Sequence, residues 1–100
     1  PCLFIFTMFI VVSYDIPQDK RRTKLMKTLK DYGTHVQYSV FECELKPEVY
    51  KAMRQRIDKL IVPKEDRVRF YFLDEDAIAK IDSIGNQTVL RVQEYYVIGD

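Results

Sequence analysis

The residues best suited to chemistry lie where an apolar stretch ends in a carboxylate and a basic segment begins. Residues 9–16 are mostly large and apolar, but they include Tyr14 and Asp15, and Pro17 follows them. A run of β-branched and aromatic residues that ends at a proline predicts a strand buried on both faces. Because an unpaired buried charge is costly, a carboxylate at the end of such a strand indicates either a partner or a functional site. Asp15 is therefore the first candidate site residue.

The segment that follows is strongly basic. Residues 20–30 contain six Lys or Arg residues and no acid, and because the whole chain carries +1, the remaining residues sum to −5. This asymmetry favours a local contact with a polyanion, and binding to a phosphate backbone would weaken steeply with salt. The alternative is an ordinary solvated helix face. The candidate nucleic-acid-binding residues are Lys20, Arg21, Arg22, Lys24 and Lys27.

The basic segment is predicted to form a helix over residues 20–32. Asp19 is the expected N-cap residue, and Gly33 is the residue expected to end the helix. Helical spacing places the lysines opposite the apolar residues, but Arg22 falls within the apolar arc. Its guanidinium must therefore reach a partner, and the nearest candidate is the end of the first strand.

The middle of the chain contains a second amphipathic helix. Pro47 is well placed at its first position, and the apolar residues of 49–61 share one side. Before this helix, the apolar positions of residues 35–45 switch from even to odd numbers near Val40. The switch predicts one long strand with a bulge at that point.

The remaining elements complete an α+β fold. Alternation predicts a strand over residues 67–73, a helical turn over 74–79, a short strand over 80–84 and a terminal strand over about 89–98. The order is typical of a ferredoxin-like βαββαβ domain with an antiparallel sheet and one extra C-terminal strand. Since both helices cover one sheet face, we expect a face-to-face homodimer in which the extra strand pairs with the partner protomer.

Length and composition indicate a single small domain. The 100 residues contain no linker-like stretch, so residues 8–100 are assigned to one domain, and 1–7 are read as an extension that is not native, with Met8 as the natural start. Two cysteines make neither a metal-binding spacing nor a disulfide framework, which favours the cytoplasm. No apolar stretch is long enough to span a bilayer, so a membrane is not an expected partner.

Three motifs in register resemble the CRISPR-associated protein 2 family. They are Tyr14-Asp15-Ile16-Pro17, Asp19-Lys20-Arg21-Arg22 and Val36-Gln37-Tyr38-Ser39-Val40-Phe41-Glu42. Members of this family are small bacterial and archaeal proteins of spacer acquisition and are described as metal-dependent nucleases. The resemblance extends from residue 8 to about residue 98.

The resemblance implies a ferredoxin-like fold, a two-fold dimer and a catalytic or metal-binding role for Asp15. It matches Tyr14 to the family's neighbouring tyrosine and Arg21 and Arg22 to its basic pair. It also matches Ser39 and Phe41 to the serine and phenylalanine of the second strand. Arginines that some members carry before that strand have no equivalent in residues 31–35. A role assigned to those arginines does not transfer to this chain.

Two functions are compatible with these residues. The first is a homodimeric endonuclease, dependent on Mg²⁺ or alternatively Mn²⁺, that cleaves RNA or DNA with two copies of Asp15 at the two-fold axis. The second is a non-catalytic adaptor that holds duplex DNA for the CRISPR integrase. A toxin-like ribonuclease of the same general fold is a third reading.

Each candidate residue also has a purely structural interpretation. Asp15 would then pair with Arg22 or cap a turn. Tyr14, Tyr38 and Phe41 are expected to pack in the core or at the dimer interface. His35, the only histidine, is expected to be incidental.

Overall fold

The computed structural model describes residues 6–85, which form four strands and three helices. The elements are β1 (Met8–Asp15), α1 (Asp19–Lys30), β2 (Gly33–Gln37), β3 (Val40–Leu45), α2 (Pro47–Leu60), β4 (Arg67–Leu73) and α3 (Glu75–Ala79). The strand predicted over residues 89–98 lies outside the described residues. No helix within residues 6–85 is long and apolar enough to cross a membrane.

The four strands form one antiparallel sheet in the order β2-β3-β1-β4. Strand β1 is therefore central, and its backbone pairs with β3 on one side and β4 on the other. This order of strands and helices confirms the predicted α+β, ferredoxin-like βαββαβ fold. The C-terminal end of β1 is consequently paired with β3 as far as Ser13 and with β4 as far as Asp15.

Helices α1 and α2 cover one face of the sheet. Ile10, Val12 and Tyr14 of β1 belong to one buried cluster with apolar residues of both helices: Leu25, Leu29, Met53 and Ile57. Because successive side chains of a strand alternate between its faces, the intervening residues of β1 point the other way. We name this side the open face; it carries Val11, Ser13 and Asp15 of β1 and Arg67, Arg69 and Tyr71 of β4.

The long bulged strand predicted over residues 35–45 is wrong. The chain forms two antiparallel strands there, and Tyr38 and Ser39 make the turn between them. The turn accounts for the switch in apolar periodicity, because residues before and after it belong to different strands. An irregularity does occur, but it lies within β2, between His35 and Gln37.

Two other local predictions are also corrected. Helix α1 is capped by Gln18, whose side-chain oxygen accepts a hydrogen bond from the Arg21 backbone N–H at 3.3 Å, and Asp19 lies inside the first turn. Residues 80–84 do not form the short strand expected from their apolar residues, and Ile84 is 96% exposed.

Gly33 does not end α1 as predicted but begins β2, where it lies against β3. A Cβ at this position would stand 2.5 Å from the Cys43 Sγ and would overlap the Glu42 carbonyl oxygen. The absence of a side chain therefore permits the close approach of the two strands.

A buried ion pair joins α1 to the connection between α2 and β4. Arg21 donates from Nε to Asp66 Oδ2 at 2.8 Å and from Nη2 to Asp66 Oδ1 at 3.0 Å. The Asp66 side chain is fully buried and also accepts from the Val62 backbone N–H at 2.8 Å. Arg21 makes a second ion pair, at 2.8 Å, with the exposed Glu65. Hydrogen bonding from Arg21 is the main cause of the lowered pKa of Asp66.

Substitution Asp66→Asn is expected to lower the melting temperature by several degrees, because it leaves the Arg21 cation without its buried carboxylate. Glu65→Gln is the matched control and should change the melting temperature little, since an exposed ion pair contributes weakly. Equal melting temperatures for Asp66→Asn and the wild type would contradict a structural role for the pair.

The same pair predicts a dependence of stability on pH. A carboxylate whose pKa is lowered by folding stabilises the protein above its unfolded pKa of about 3.9. That contribution is lost as the pH falls through the lower folded pKa of Asp66. The difference in unfolding free energy between the wild type and Asp66→Asn, measured with urea, should therefore be constant near neutral pH and shrink below about pH 4.

Substitution Gly33→Ala is expected to destabilise the protein by about 1–3 kcal/mol, because β2 and β3 must separate to admit the methyl group. Gly85→Ala is the control: its φ of 103° disfavours alanine, but a Cβ there meets no atom of the described residues within 4 Å. Its cost should be about 1 kcal/mol. Urea unfolding measures both values, and a Gly33→Ala variant as stable as the wild type would contradict the close approach.

Candidate functional site at the end of the central strand

Asp15 is the last residue of β1 and lies where burial along the strand ends. The preceding Tyr14 is only 4% exposed, whereas Asp15 is exposed on the open face. Within residues 6–85 its carboxylate makes no hydrogen bond and no ion pair. The carboxylate is therefore available to a ligand approaching the open face.

Arg22 occupies the position expected from the helical pattern but does not pair with Asp15. It donates from Nη1 to the Ile16 carbonyl oxygen at 2.9 Å, and it forms an ion pair with Asp19. Arg22 therefore holds the connection between β1 and α1. Since Arg21 is bound to Asp66, both arginines have structural partners, and their contact with nucleic acid stays a prediction.

The candidate lysines are in a different situation from the arginines. Lys20, Lys24 and Lys27 are exposed and, within the described part of the chain, none forms an ion pair. Their spacing of four and three residues puts them on one side of α1, and we name this row the lysine ridge. The ridge extends about 10 Å along the helix, a length over which duplex DNA carries about six phosphate charges.

Tyr14 and Phe41 are packing residues in this structure, as expected. Both are buried, with ring centroids 6.3 Å apart. Burial raises the pKa of Tyr14, although the positive charge of Arg22 partly opposes the shift. The Tyr14 phenol is therefore protonated at neutral pH and does not act as a general base.

The turn between β2 and β3 lies beside the end of β1. The Ser39 carbonyl oxygen accepts from the Tyr14 backbone N–H at 3.1 Å, which joins the turn to the residue before Asp15. Tyr38 has a φ of 27° and is 89% exposed, so its predicted packing in the core is wrong. Packing of Tyr38 at a dimer interface stays a prediction.

His35 has a structural role that the sequence did not indicate. Its ring stacks on buried Phe41, with centroids 4.7 Å apart and planes inclined by 16°. Its Nε2 also contacts the Tyr38 carbonyl oxygen, which can only accept a hydrogen bond. His35 therefore supports the turn in which Tyr38 has its unusual backbone conformation.

Arg67 is the residue at this site that sequence reasoning missed. It is the first residue of β4 and is paired in register with Asp15. Residues directly opposite each other on antiparallel strands share a face, with Cβ atoms about 4.5–5.5 Å apart. The alternation of residues 67–73 predicted the strand that contains Arg67, but the pairing of that strand with β1 was not evident from local pattern.

A single chain provides an incomplete set of metal ligands at this site. No group of three or more His, Cys, Asp or Glu residues within residues 6–85 could hold a metal ion. Mg²⁺ commonly takes one or two protein carboxylates and completes its coordination with water and substrate phosphates. Asp15, exposed and without a partner among residues 6–85, is a carboxylate of the kind that such a site takes.

The chain resembles known proteins over most of its length. Residues 8–81 match the family described as CRISPR associated protein Cas2. A CRISPR-associated endoribonuclease Cas2 from Synechocystis sp. is 42% identical over 85 residues, covering 84% of this chain and 92% of the relative.

Solved structures give the same relationship. Streptococcus pyogenes Cas2 superposes with a TM-score of 0.70 and 32% identity, covering 78% of this chain and all of the other. A chain from a partial Cas6-RT-Cas1–Cas2 complex gives a TM-score of 0.69 and 32% identity, covering 83% of this chain and 90% of that chain. Fold, sequence and the position of Asp15 at the end of the central strand lead to one conclusion: this protein belongs to the CRISPR-associated Cas2 family.

Proposed function

We propose that this protein is a homodimeric, metal-dependent endonuclease that acts in CRISPR spacer acquisition and cleaves phosphodiester bonds at the dimer two-fold axis. The observation that carries this proposal is the carboxylate of Asp15, which is exposed and, within residues 6–85, unpaired, at the end of a central strand whose other residues are buried or half-buried. Such a strand fixes the backbone of its last residue. Asp15 is thereby a rigidly placed oxygen ligand on the open face.

A second copy of the chain would supply the second carboxylate that the proposed metal site needs. The open face carries apolar and aromatic residues among its charged ones, including Val11 and Tyr71, which is 44% exposed. Pairing two such faces around a two-fold axis would bury them and bring the two Asp15 carboxylates towards each other. The terminal strand, predicted over residues 89–98, would add to the partner's sheet.

The chemistry of the site follows from its ligands. When bound, Mg²⁺ or Mn²⁺ polarises a phosphoryl oxygen and acidifies a coordinated water. The two Asp15 side chains would hold the metal, and neither Tyr14 nor His35 is required as a base. Tyr14 is buried with a raised pKa, and His35 is engaged in the turn at Tyr38.

The relatives support both the activity and its biological setting. The Synechocystis relative is named an endoribonuclease, which favours RNA as a substrate, although its name does not address DNA. The structural neighbour within a Cas1–Cas2 complex supports the CRISPR integrase as a partner. We place this activity in the cytoplasm, where Cys43, a buried thiol that forms no disulfide within residues 6–85, would stay reduced.

Substitution Asp15→Asn is expected to reduce Mg²⁺-dependent cleavage of labelled single-stranded RNA and duplex DNA by at least about 100-fold, because the amide is a poor ligand and removes the negative charge. Binding of the same nucleic acids should change less than about twofold. Asp58→Asn, on the far side of α2, is the matched control and should retain full cleavage. Cleavage by Asp15→Asn at the wild-type rate would show that another site or a contaminant is responsible.

A second function is favoured by the lysine ridge. Three exposed lysines without ion pairs in the described part of the chain are suited to the phosphates of duplex DNA. We propose that the protein also binds duplex DNA through this ridge, so that it can act as an adaptor for the CRISPR integrase. This binding requires neither Asp15 nor a metal.

Charge reversal of the ridge (Lys20→Glu, Lys24→Glu and Lys27→Glu) is expected to abolish measurable duplex binding at moderate salt. At low salt the plot of log affinity against log salt concentration has a negative slope. The magnitude of this slope should fall by about 0.9 for each lost phosphate contact. The control reverses three lysines of α2 and the following turn (Lys51, Lys59 and Lys64) and thus makes the same change in net charge. Equal loss of binding in both variants would mean that net charge, and not the ridge, determines binding.

A further inference from the structure

We propose that Arg67 is a phosphate-binding residue of the Asp15 site. This inference rests on the proposed nuclease function and names a residue that would contact its substrate. Arg67 lies directly across from Asp15 in the β1–β4 register, on the open face. The pair therefore places one carboxylate and one guanidinium side by side at the end of the sheet.

The guanidinium of Arg67 is exposed and available. Within residues 6–85 it forms no ion pair and no hydrogen bond, and it does not pair with Asp15 although the two residues face each other. Arg69, two residues along the same face, differs, because it donates to the Tyr71 hydroxyl at 3.1 Å. Arg67 is thus the arginine on this strand whose donors are not already used.

The backbone of Arg67 is fixed by its neighbour. Asp66 directly precedes it, and the buried Asp66 carboxylate accepts hydrogen bonds from Arg21 and from the Val62 backbone N–H. On its other side Arg67 enters the β-ladder with β1. A residue held on both sides presents its side chain from a defined point, which lowers the entropic cost of binding a ligand.

The chemistry of the two side chains is complementary towards one ligand, a phosphodiester. A guanidinium binds phosphate oxygens through two parallel N–H donors, whereas the carboxylate of Asp15 repels phosphate unless a cation lies between them. With the cation on Asp15, the same phosphate can contact Arg67. Arg67, which lies on β4, would then offset the negative charge that develops on the phosphate during cleavage.

The test compares Arg67→Gln, Arg67→Lys and the matched control Arg69→Gln, each made in the wild type and in Asp15→Asn. Cleavage of labelled single-stranded RNA gives kcat and KM, and binding to the Asp15→Asn proteins gives the salt slope. We expect Arg67→Gln to lower kcat/KM by about tenfold or more. Arg67→Lys should be intermediate, because it keeps the charge and loses the planar fork. Arg69→Gln should match the wild type as long as the variant remains a dimer, which size-exclusion chromatography with light scattering measures.

The binding measurement stands independently of cleavage. Arg67→Gln in the Asp15→Asn background should reduce the salt slope for the single-stranded RNA by about 0.7, the value for one phosphate contact. An unchanged slope overturns the proposal even if the wild type cleaves nothing.

Three further results separate the possible failures. If Asp15→Asn is inactive while Arg67→Gln keeps the wild-type kcat/KM, this inference alone is contradicted. Full cleavage by Asp15→Asn contradicts the proposed function itself. Size-exclusion chromatography with light scattering shows whether Arg67→Gln remains a dimer. If the variant loses activity because its dimer dissociates, Arg67 belongs to the interface and the inference is also overturned.

Discussion

The position of β1 between two antiparallel neighbours is the constraint on which the site depends. Its backbone is paired with β3 and β4, and one of its faces is buried under both helices. Only its last residue, Asp15, combines this rigid backbone with an exposed side chain. The fold thus places the Asp15 carboxylate at the end of the open face, while Glu42 and Glu44 of β3 lie farther along the same face, opposite Val11 and Phe9. A divalent cation commonly takes one or two protein carboxylates, and the proposed catalytic site takes its second carboxylate from another copy of the chain.

The basic segment of α1 divides into two parts with different surroundings. The mostly buried Arg21 binds Asp66, and the partly exposed Arg22 donates to the Ile16 carbonyl oxygen. The two arginines thus attach α1 to the segment before β4 and to the segment after β1. The lysine ridge faces solvent and carries the charge available to a nucleic acid. Arg21 acts on the site through Asp66, whose position fixes the start of β4. We therefore infer that the anchoring of α1 and the placement of Arg67 depend on one buried ion pair.

Local patterns were sufficient for most of the fold and for part of the site. Apolar periodicity identified β1, both long helices and β4, and burial that ended at Asp15 was evident from the residue types alone. The turn at Tyr38 was missed because a tyrosine gives no signal for a positive φ. Arg67 was missed for a different reason: its importance comes from the register between strands more than fifty residues apart, which a local pattern does not contain. The partners of Arg21 were likewise non-local, since Asp66 lies 45 residues away.

The most direct test of the account is the activity of mixed dimers. Wild-type and Asp15→Asn chains with different tags would be co-refolded in varying ratios, and Mg²⁺-dependent cleavage would be measured at constant total protein. If two Asp15 carboxylates form one site, only dimers of two wild-type chains are active, and an equal mixture should retain about a quarter of the activity. Activity of about one half, proportional to the wild-type fraction, would show that each chain has its own site and would contradict the shared metal centre.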